Sequence, residues 1–293
     1  MNRAKEVVIL SGKGGTGKTT LTASLSKIIP DKVIVDADVD AADLFILLEH
    51  TRKKSTKFRG KSVATIDKNK CIKCGECERQ CRFDAIHKYS DGNFSVNFYK
   101  CDGCALCTYV CPVHAIQMNE EIVGDWYVSE TAFGTMVHGH LIPGAENSGN
   151  LVTLLKHEAQ LIAKEKGIKR IIVDGPPGIG CPVISSLSGA TLALIVTEPT
   201  LSGIHDLDRI LSICKQFRVE AKIVINKASI NKENVEKIKQ FALKNSIEII
   251  GEIPFDRCVV ENLSQKLTPI DTDNCKTVRK EIEKISQYIS ALF

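Results

Sequence analysis

The chain has 293 residues, of which 43% are hydrophobic and 25% charged, and its formal net charge is +4 at pH 7. That size allows a full core plus one smaller unit, and so mild a charge gives no case for nucleic acid or an anionic membrane as a partner. No apolar run approaches the ~18 residues of a spanning helix, and the N-terminus enters a strand pattern directly, so neither membrane insertion nor a signal peptide is expected.

Glu6–Leu10 reads as a buried parallel strand that ends in a Gly-rich loop. A helix is expected from about Lys18 to Ile29, stopped near Pro30, and a second strand over Lys32–Asp36. That strand runs into an acidic segment with carboxylates at Asp36, Asp38, Asp40 and Asp43. Arg52, Lys53, Lys54, Lys57, Arg59 and Lys61 then form a basic stretch that reads as a solvated linker, with an acidic docking partner as the other reading. A cysteine-rich segment follows, and alternation resumes at Trp126–Val128. A helix over about Asn150–Lys166 is signalled by Leu151, Leu154, Leu155, Ala159, Ile162 and Ala163 on one face. Strands are expected at Arg170–Asp174, Leu192–Thr197, Ala221–Asn226 and near Glu248–Gly251. Val278, Ile282, Ile285, Ile289 and Leu292 mark a C-terminal amphipathic helix, expected to dock on the sheet rather than on a membrane.

Strands alternating with helices imply an α/β fold with a mostly parallel sheet, flanked by helices and binding ligands at the strand C-termini. The cysteine segment interrupts this pattern, so residues 1–60 and 126–293 are expected to form one domain. Residues 61–125 form an inserted α+β domain.

Gly12-x-x-x-x-Gly17-Lys18-Thr19 is a P-loop between a strand and a helix. Backbone N–H groups of Gly12, Gly14, Gly15, Thr16, Gly17 and Thr20 are placed to wrap phosphates at a helix N-terminus. Lys18 neutralises the β- and γ-phosphates of ATP, and the Thr19 hydroxyl is a Mg²⁺ ligand. Asp36, Asp40 and Asp43 read as capping or loop carboxylates.

Lys13, inside Lys-Gly-Gly-Thr-Gly-Lys, resembles the deviant Walker A motif of the MinD/ParA/Mrp and nitrogenase-iron-protein class of ATPases. The resemblance implies an ATP-dependent homodimer in which Lys13 reaches the partner's nucleotide. It also implies that Asp38 is the switch I aspartate orienting the attacking water, that Asp174 is the Walker B aspartate near Mg²⁺, and that Gly175–Gly178 is switch II. Asn226, at a strand end, matches the adenine-reading asparagine, whose amide offers both a donor and an acceptor.

Cys71-x-x-Cys74-x-x-Cys77-x-x-x-Cys81 and Cys101-x-x-Cys104-x-x-Cys107-x-x-x-Cys111-Pro112 are two copies of a cluster-ligand run. They resemble a ferredoxin with two [4Fe–4S] clusters, in which the fourth ligand comes from the other run. Cys71, Cys74, Cys77 and Cys111 are thus expected to hold one cluster, and Cys101, Cys104, Cys107 and Cys81 the other. Ala85-Ile86 and Ala115-Ile116 repeat at the same offset, whereas Arg82 stands where Pro112 follows its cysteine. A zinc site has no need of this triple spacing twice.

The remaining cysteines are Cys181, Cys214, Cys258 and Cys275, the last three read as structural. Cys181 follows Asp174 at the spacing of a subunit-bridging ligand in the nitrogenase iron protein, but Asn147 stands where that family has its second cysteine. Cys181 therefore reads as a buried structural cysteine, with a labile-metal or redox residue as the other reading. His138 and His140 are assigned polar loop roles. Cluster-ligand spacing, size and the absence of a signal favour a reducing cytoplasm over a secreted disulfide scaffold.

Nearly the whole chain resembles MinD-superfamily ATPases with an inserted ferredoxin domain. Two functions follow from that resemblance. One is an ATPase whose dimer cycle gates electron transfer to a partner protein; the other is an ATP-dependent carrier that loads an iron–sulfur or metal cofactor onto a client. A positioning ATPase on membrane or DNA leaves eight cysteines without a role.

Overall fold

The computed structural model describes residues 3–145 and 148–292. From the N-terminus the elements are β1 (Lys5–Ser11), α1 (Lys18–Ile28), β2 (Lys32–Asp36), α2 (Leu44–Leu47) and β3 (His50–Ile66). The cysteine-rich region adds α3 (Glu76–Gln80), β4 (Ile86–Lys88), β5 (Phe94–Val96) and α4 (Leu106–Val110), before β6 (Ile116–Thr131) and β7 (Gly134–Leu141). The chain then alternates: α5 (Ser148–Lys166), β8 (Arg170–Pro177), α6 (Cys181–Leu187), β9 (Leu192–Thr197), α7 (Leu201–Gln216) and β10 (Glu220–Asn226). It closes with α8 (Lys232–Lys244), β11 (Ile249–Ile253), α9 (Arg257–Ser264) and α10 (Lys276–Ser290).

The principal sheet has the order β11-β10-β9-β1-β8-β2-β7-β6-β3. β1 pairs in parallel with β8 and β9, β2 with β8 and β7, and β10 with β9 and β11. Of these strands β1, β2, β8 and β9 are buried almost throughout, which is why they read as unbroken apolar runs. Only two residues separate β6 from β7, its neighbour in the sheet, a link that only antiparallel strands can make. Strand order reverses around β1, so the loop after β1 opens at a switch point beside the C-terminal ends of β8 and β2.

The C-terminal helix is docked. Val278, Ile282, Ile285 and Ile289 of α10 are buried with Leu21 and Leu25 of α1 against Val7, Leu194 and Val224 of the sheet. Each such side chain contributes about 1.5–3 kcal/mol on burial. Gly251 of β11 is required by this packing, because a Cβ there would lie 2.6 Å from Ile285. Thr200, Asn231 and Asp256 cap α7, α8 and α9, each accepting a backbone N–H at 3.0 Å; loss of such a cap costs about 1 kcal/mol.

The basic stretch from Arg52 to Lys61 is not a linker. It lies within β3, the outermost strand of the sheet. Arg52 lies over the Tyr127 ring at 4.1 Å and Lys54 over Trp126 at 4.5 Å, both rings on β6. Positive charge on an edge strand also keeps the free backbone edge from pairing with another chain.

Two compact units divide the chain. One contains the residues up to Thr56, Trp126–His140 and the residues from Ser148 onward; the other contains Lys57–Asp125 and the short segment from Leu141. In the second unit β4 and β5 form an antiparallel pair, with Ile86 opposite Val96 and Lys88 opposite Phe94. Its core consists of Val63, Ala64, Cys77, Ala85, Ile86, Phe94, Cys101 and Ile116. The sequence duplication is also a backbone duplication. Positive φ recurs at Lys73 and Gly103, at Gly75 and Ala105, and at Asp84 and His114. Arg82 does not alter its turn: Asp84 N–H donates to Cys81 O just as His114 N–H donates to Cys111 O.

Candidate functional site: a phosphate loop and two cysteine-ringed cavities

The loop from Gly12 to Gly17 joins β1 to the first turn of α1 and can close only with glycine at particular positions. Gly15 and Gly17 have φ of 78° and 89°. A side chain at Gly12 would strike Asp206 of α7, and one at Gly17 would strike the Asn226 amide. Around Gly14, Gly15 and Gly178 the space is open. The buried Thr16 hydroxyl has no hydrogen-bond partner among the described residues, as expected of a group that awaits an acceptor such as phosphate.

Three carboxylates from two strand ends surround the Lys18 ammonium. Its Nζ lies 3.3 Å from Asp38 Oδ2 and 3.5 Å from Asp174 Oδ1. Burial works against the Lys18 charge, but Asp174, Asp38 and Asp36 outweigh it and hold its pKa above the ordinary value. Thr19 Oγ1 donates to Asp174 Oδ2 at 2.7 Å, and Thr22 Oγ1 to Asp174 Oδ1 at 2.8 Å. The Thr19 hydroxyl and the Asp174 carboxylate are thus held together, the pairing a Mg²⁺ ion beside phosphates requires. Burial raises the Asp38 carboxyl pKa, offset in part by Lys18. Asp36 is fully buried, and burial together with Asp174 pushes its carboxyl well above the usual range. It accepts the N–H groups of Leu44 at 3.1 Å and Asp38 at 3.3 Å, so it organises the acidic loop.

In the second unit the eight cysteines ring two cavities. Cys71, Cys74, Cys77 and Cys111 line one, with Ile66, Phe94 and Ile116. Cys81, Cys101, Cys104 and Cys107 line the other, with Ala64, Ile86 and Met118. The last cysteine of each run therefore crosses to the other run's cavity. The backbone holds it there: Ala85 N–H donates to Cys81 Sγ at 3.4 Å and Ala115 N–H to Cys111 Sγ at 3.2 Å. Among the described residues no compact three-ligand group suits a single metal ion. Four sulfurs around an apolar cavity, twice over, fit a [4Fe–4S] cluster at each place. Burial pushes the Cys107 thiol up to about 11 and raises that of Cys77, so iron has to displace these protons.

Residues 64–118 match the family model of a 4Fe-4S dicluster domain. Over 51 residues the chain is 41% identical to pyruvate synthase subunit PorD of Methanocaldococcus jannaschii, covering 17% of this chain and 59% of that protein. The MinD protein of Pyrococcus horikoshii, solved with Mg-ADP, superposes with a TM-score of 0.60 at 17% identity over 98% of this chain and 96% of that one. Over 289 residues the chain is 32% identical to the M. jannaschii protein MJ0578, spanning 97% of both. The chain belongs to the MinD/ParA-type P-loop ATPases that carry a dicluster ferredoxin domain.

In this family member Lys13 is tied down within its own chain. It forms an ion pair with Glu198 and donates to Ser202 Oγ at 3.1 Å. Glu198 also pairs with Lys227 at 3.0 Å, and Lys227 donates to Gly15 O at 3.0 Å. Burial opposes the Glu198 charge, but hydrogen bonds from Lys13 and Lys227 hold its carboxyl below the usual range. No local motif marked Glu198 or Lys227, and only the adjacency of β9 and β10 brings them to the loop.

Asn226 braces the same loop, its Nδ2 donating to Thr16 O at 2.7 Å and its Oδ1 accepting from Lys227 N at 2.9 Å. One amide hydrogen and one lone pair remain free for a ligand. Asn226 lines a cavity of about 230 Å³ with Gly15, Gly17, Pro254, Phe255 and Val259. The segment Pro254–Asp256 after β11 was missed by sequence reasoning; a Pro at a strand end beside a helix cap is its only signal.

Two expectations are corrected. Cys181 is exposed, the first residue of α6 rather than a core cysteine. His138 is buried on β7, with Nε2 2.9 Å from Ser129 Oγ, and not in a loop; burial, then His50, Arg52 and His140, lower its pKa to about 4. His140 also lies on β7, stacked on Tyr127. Cys258 and Cys275 are structural, as expected, and form a disulfide pair. Cys214 is buried and burial raises its thiol to about 11, as befits a core residue. Asn147 lies outside the described residues.

Proposed function

We propose that this ATPase uses its nucleotide cycle to gate electron delivery from the dicluster unit to a partner protein. The observation that carries the reading is the presence, in one chain, of the Lys18–Asp38–Asp174 constellation and two separate four-cysteine cavities. Bound [4Fe–4S] clusters supply one-electron transfer. The loop N–H groups and Lys18 bind the β- and γ-phosphates, and Thr19, steadied by Asp174, offers its hydroxyl to Mg²⁺. Asp38 orients the attacking water once phosphate competes for Lys18. Asn226 reads adenine with the donor and acceptor left to it.

Lys13 leaves Glu198 and reaches the nucleotide of a second copy, which makes the active form an ATP-dependent homodimer. In chain order the dicluster unit stands between the Asp38 and Asp174 segments, and α2 and β3 lead from the first into it. A change at Asp38 is thereby passed along the chain toward the cluster ligands. The 41% identity to a pyruvate synthase subunit supports a redox partner; the eight cysteines with cluster-ligand spacing favour a reducing cytoplasm as the setting, and the Cys258–Cys275 disulfide is buried in the core.

The test is anaerobic reconstitution followed by mixing with an apo-ferredoxin as cluster acceptor and, for the reduced protein, with an iron-free one-electron acceptor, each with ATP, ADP or no nucleotide. Iron retained on the chain, together with nucleotide-dependent oxidation of its reduced form, supports gating. Iron appearing on the acceptor under ATP replaces this reading with that of a cluster carrier.

A further inference from the structure

Lys61 is a basic residue that the ATPase and ligand assignments leave without a role. Its residue is 4% exposed, on β3 within the dicluster unit. A buried ammonium is costly unless negative charge or hydrogen bonds offset it. Among the described residues its one close partner is the Phe98 ring, 5.3 Å from Nζ, and no carboxylate pairs with it.

What surrounds Lys61 is the cysteine core. Val63, two residues along β3 and so on the same face, packs in the core with Cys77 and Cys101. Phe98 packs against that same core three residues before Cys101, and Asn97 O accepts the Cys101 N–H at 3.0 Å. The adjacent Ser62 presses on the loop between Cys101 and Cys104: a Cβ on Gly103 would lie 2.6 Å from Ser62 O. Lys61 is thus next in sequence to the residue that presses on the loop of the second cavity, and its ring contact, Phe98, belongs to the core that the cysteines share.

We infer that Lys61 is a positioning residue for charge. Its ammonium offsets the negative charge gathered at Cys81, Cys101, Cys104 and Cys107 when a [4Fe–4S] cluster is bound. A cluster held by four thiolates carries net negative charge that grows on reduction, so a fixed cation nearby favours the reduced form. Among the described residues no other lysine of the dicluster unit is buried, so the two potentials are set apart and an electron rests preferentially at the second site. This inference rests on the reading of the eight cysteines as cluster ligands and not on ATP gating.

The experiment compares wild type, K61Q and K61R as full-length reconstituted proteins, with iron content assayed first. An EPR-monitored redox titration follows, and then thermal melting of the iron-free proteins. In K61Q one of the two potentials is expected to fall by about 59 mV, a tenfold loss in the reduction equilibrium, while the other stays put. K61R is expected to keep both, and iron-free K61Q to melt no lower than wild type because it loses an uncompensated cation. Loss of one cluster in K61Q but not in K61R also supports the inference. Two unchanged potentials in K61Q with full iron, or an equal shift in K61R, overturn it. Wild-type protein that binds fewer than two clusters overturns instead the ligand reading beneath it, and a shifted K61Q potential alongside oxidation rates that ignore nucleotide leaves this inference standing while refuting the gating.

Discussion

Replacing Lys18 with methionine should destabilise the nucleotide-free protein as well as abolish ATP binding. The ammonium sits 3.3 Å from Asp38 and 3.5 Å from Asp174, with side-chain exposures of 6% for Lys18, 13% for Asp38 and 1% for Asp174. Removing one partner of so buried a set leaves carboxylates uncompensated and costs about 3–5 kcal/mol, a large share of the roughly 5–15 kcal/mol that holds a domain folded. The pH dependence has a definite sign. Asp36 and Asp38 already have raised pKa values, and loss of Lys18 raises them further. The folded variant then binds more protons than the unfolded chain, so its stability falls as pH rises above the ordinary Asp range. Wild type keeps the Lys18 contribution across neutrality, because a raised lysine pKa is titrated only in alkali. Denaturant titrations of both proteins between pH 5 and 8 are the assay. A deficit that widens toward pH 8 is expected. A deficit below about 1 kcal/mol at pH 8, or one that does not change with pH, would refute the view that Lys18 neutralises a buried acidic trio.

Buried His138, with a pKa lowered to about 4, makes wild type lose stability as pH falls from its unfolded value near 6.5 toward 4. The loss is on the order of 3 kcal/mol at most, and H138Q should flatten that part of the stability profile. The serine variants C74S and C104S should each lose one cluster and retain the other, so iron falls from about eight to about four atoms per chain; loss of both in either variant would argue against two separate cavities. Reducing the Cys258–Cys275 disulfide, which closes a segment of separation 17, should cost about 3 kcal/mol of stability, measured by denaturation with and without a thiol reductant. Val259 and Val278, each next to or near one of these cysteines, line the cavity at Asn226, so ATP affinity measured in the same samples should also weaken.

What was legible in the sequence follows from where free energy is concentrated along the chain. β2 and β9 have the bounds expected of them, because strands buried on both faces are unbroken apolar runs ended by a carboxylate or a turn. The stripe on α10 was legible because its docking face repeats at helical spacing. β3 was not, since an edge strand covered by cations has neither apolar alternation nor a buried run. His138 was misread because imidazole burial depends on Ser129 and Phe45, which come from other elements. Cys258 and Cys275 have no diagnostic spacing, and α9 and α10 had to be placed before their pairing could be seen. The Lys13–Glu198–Lys227 cluster likewise depends on strand order, which no local pattern encodes.

The central claim is that nucleotide state controls electron delivery. Its most direct measurement is the oxidation rate of the reduced, reconstituted protein by a small iron-free one-electron acceptor, followed by stopped-flow absorbance with ATP, ADP or no nucleotide, in wild type and in D38N. The account predicts a rate that changes with ATP in wild type and a D38N protein that binds ATP but stays locked in the ATP-bound rate. Equal rates under all three conditions, in a protein shown to bind and hydrolyse ATP, would contradict it.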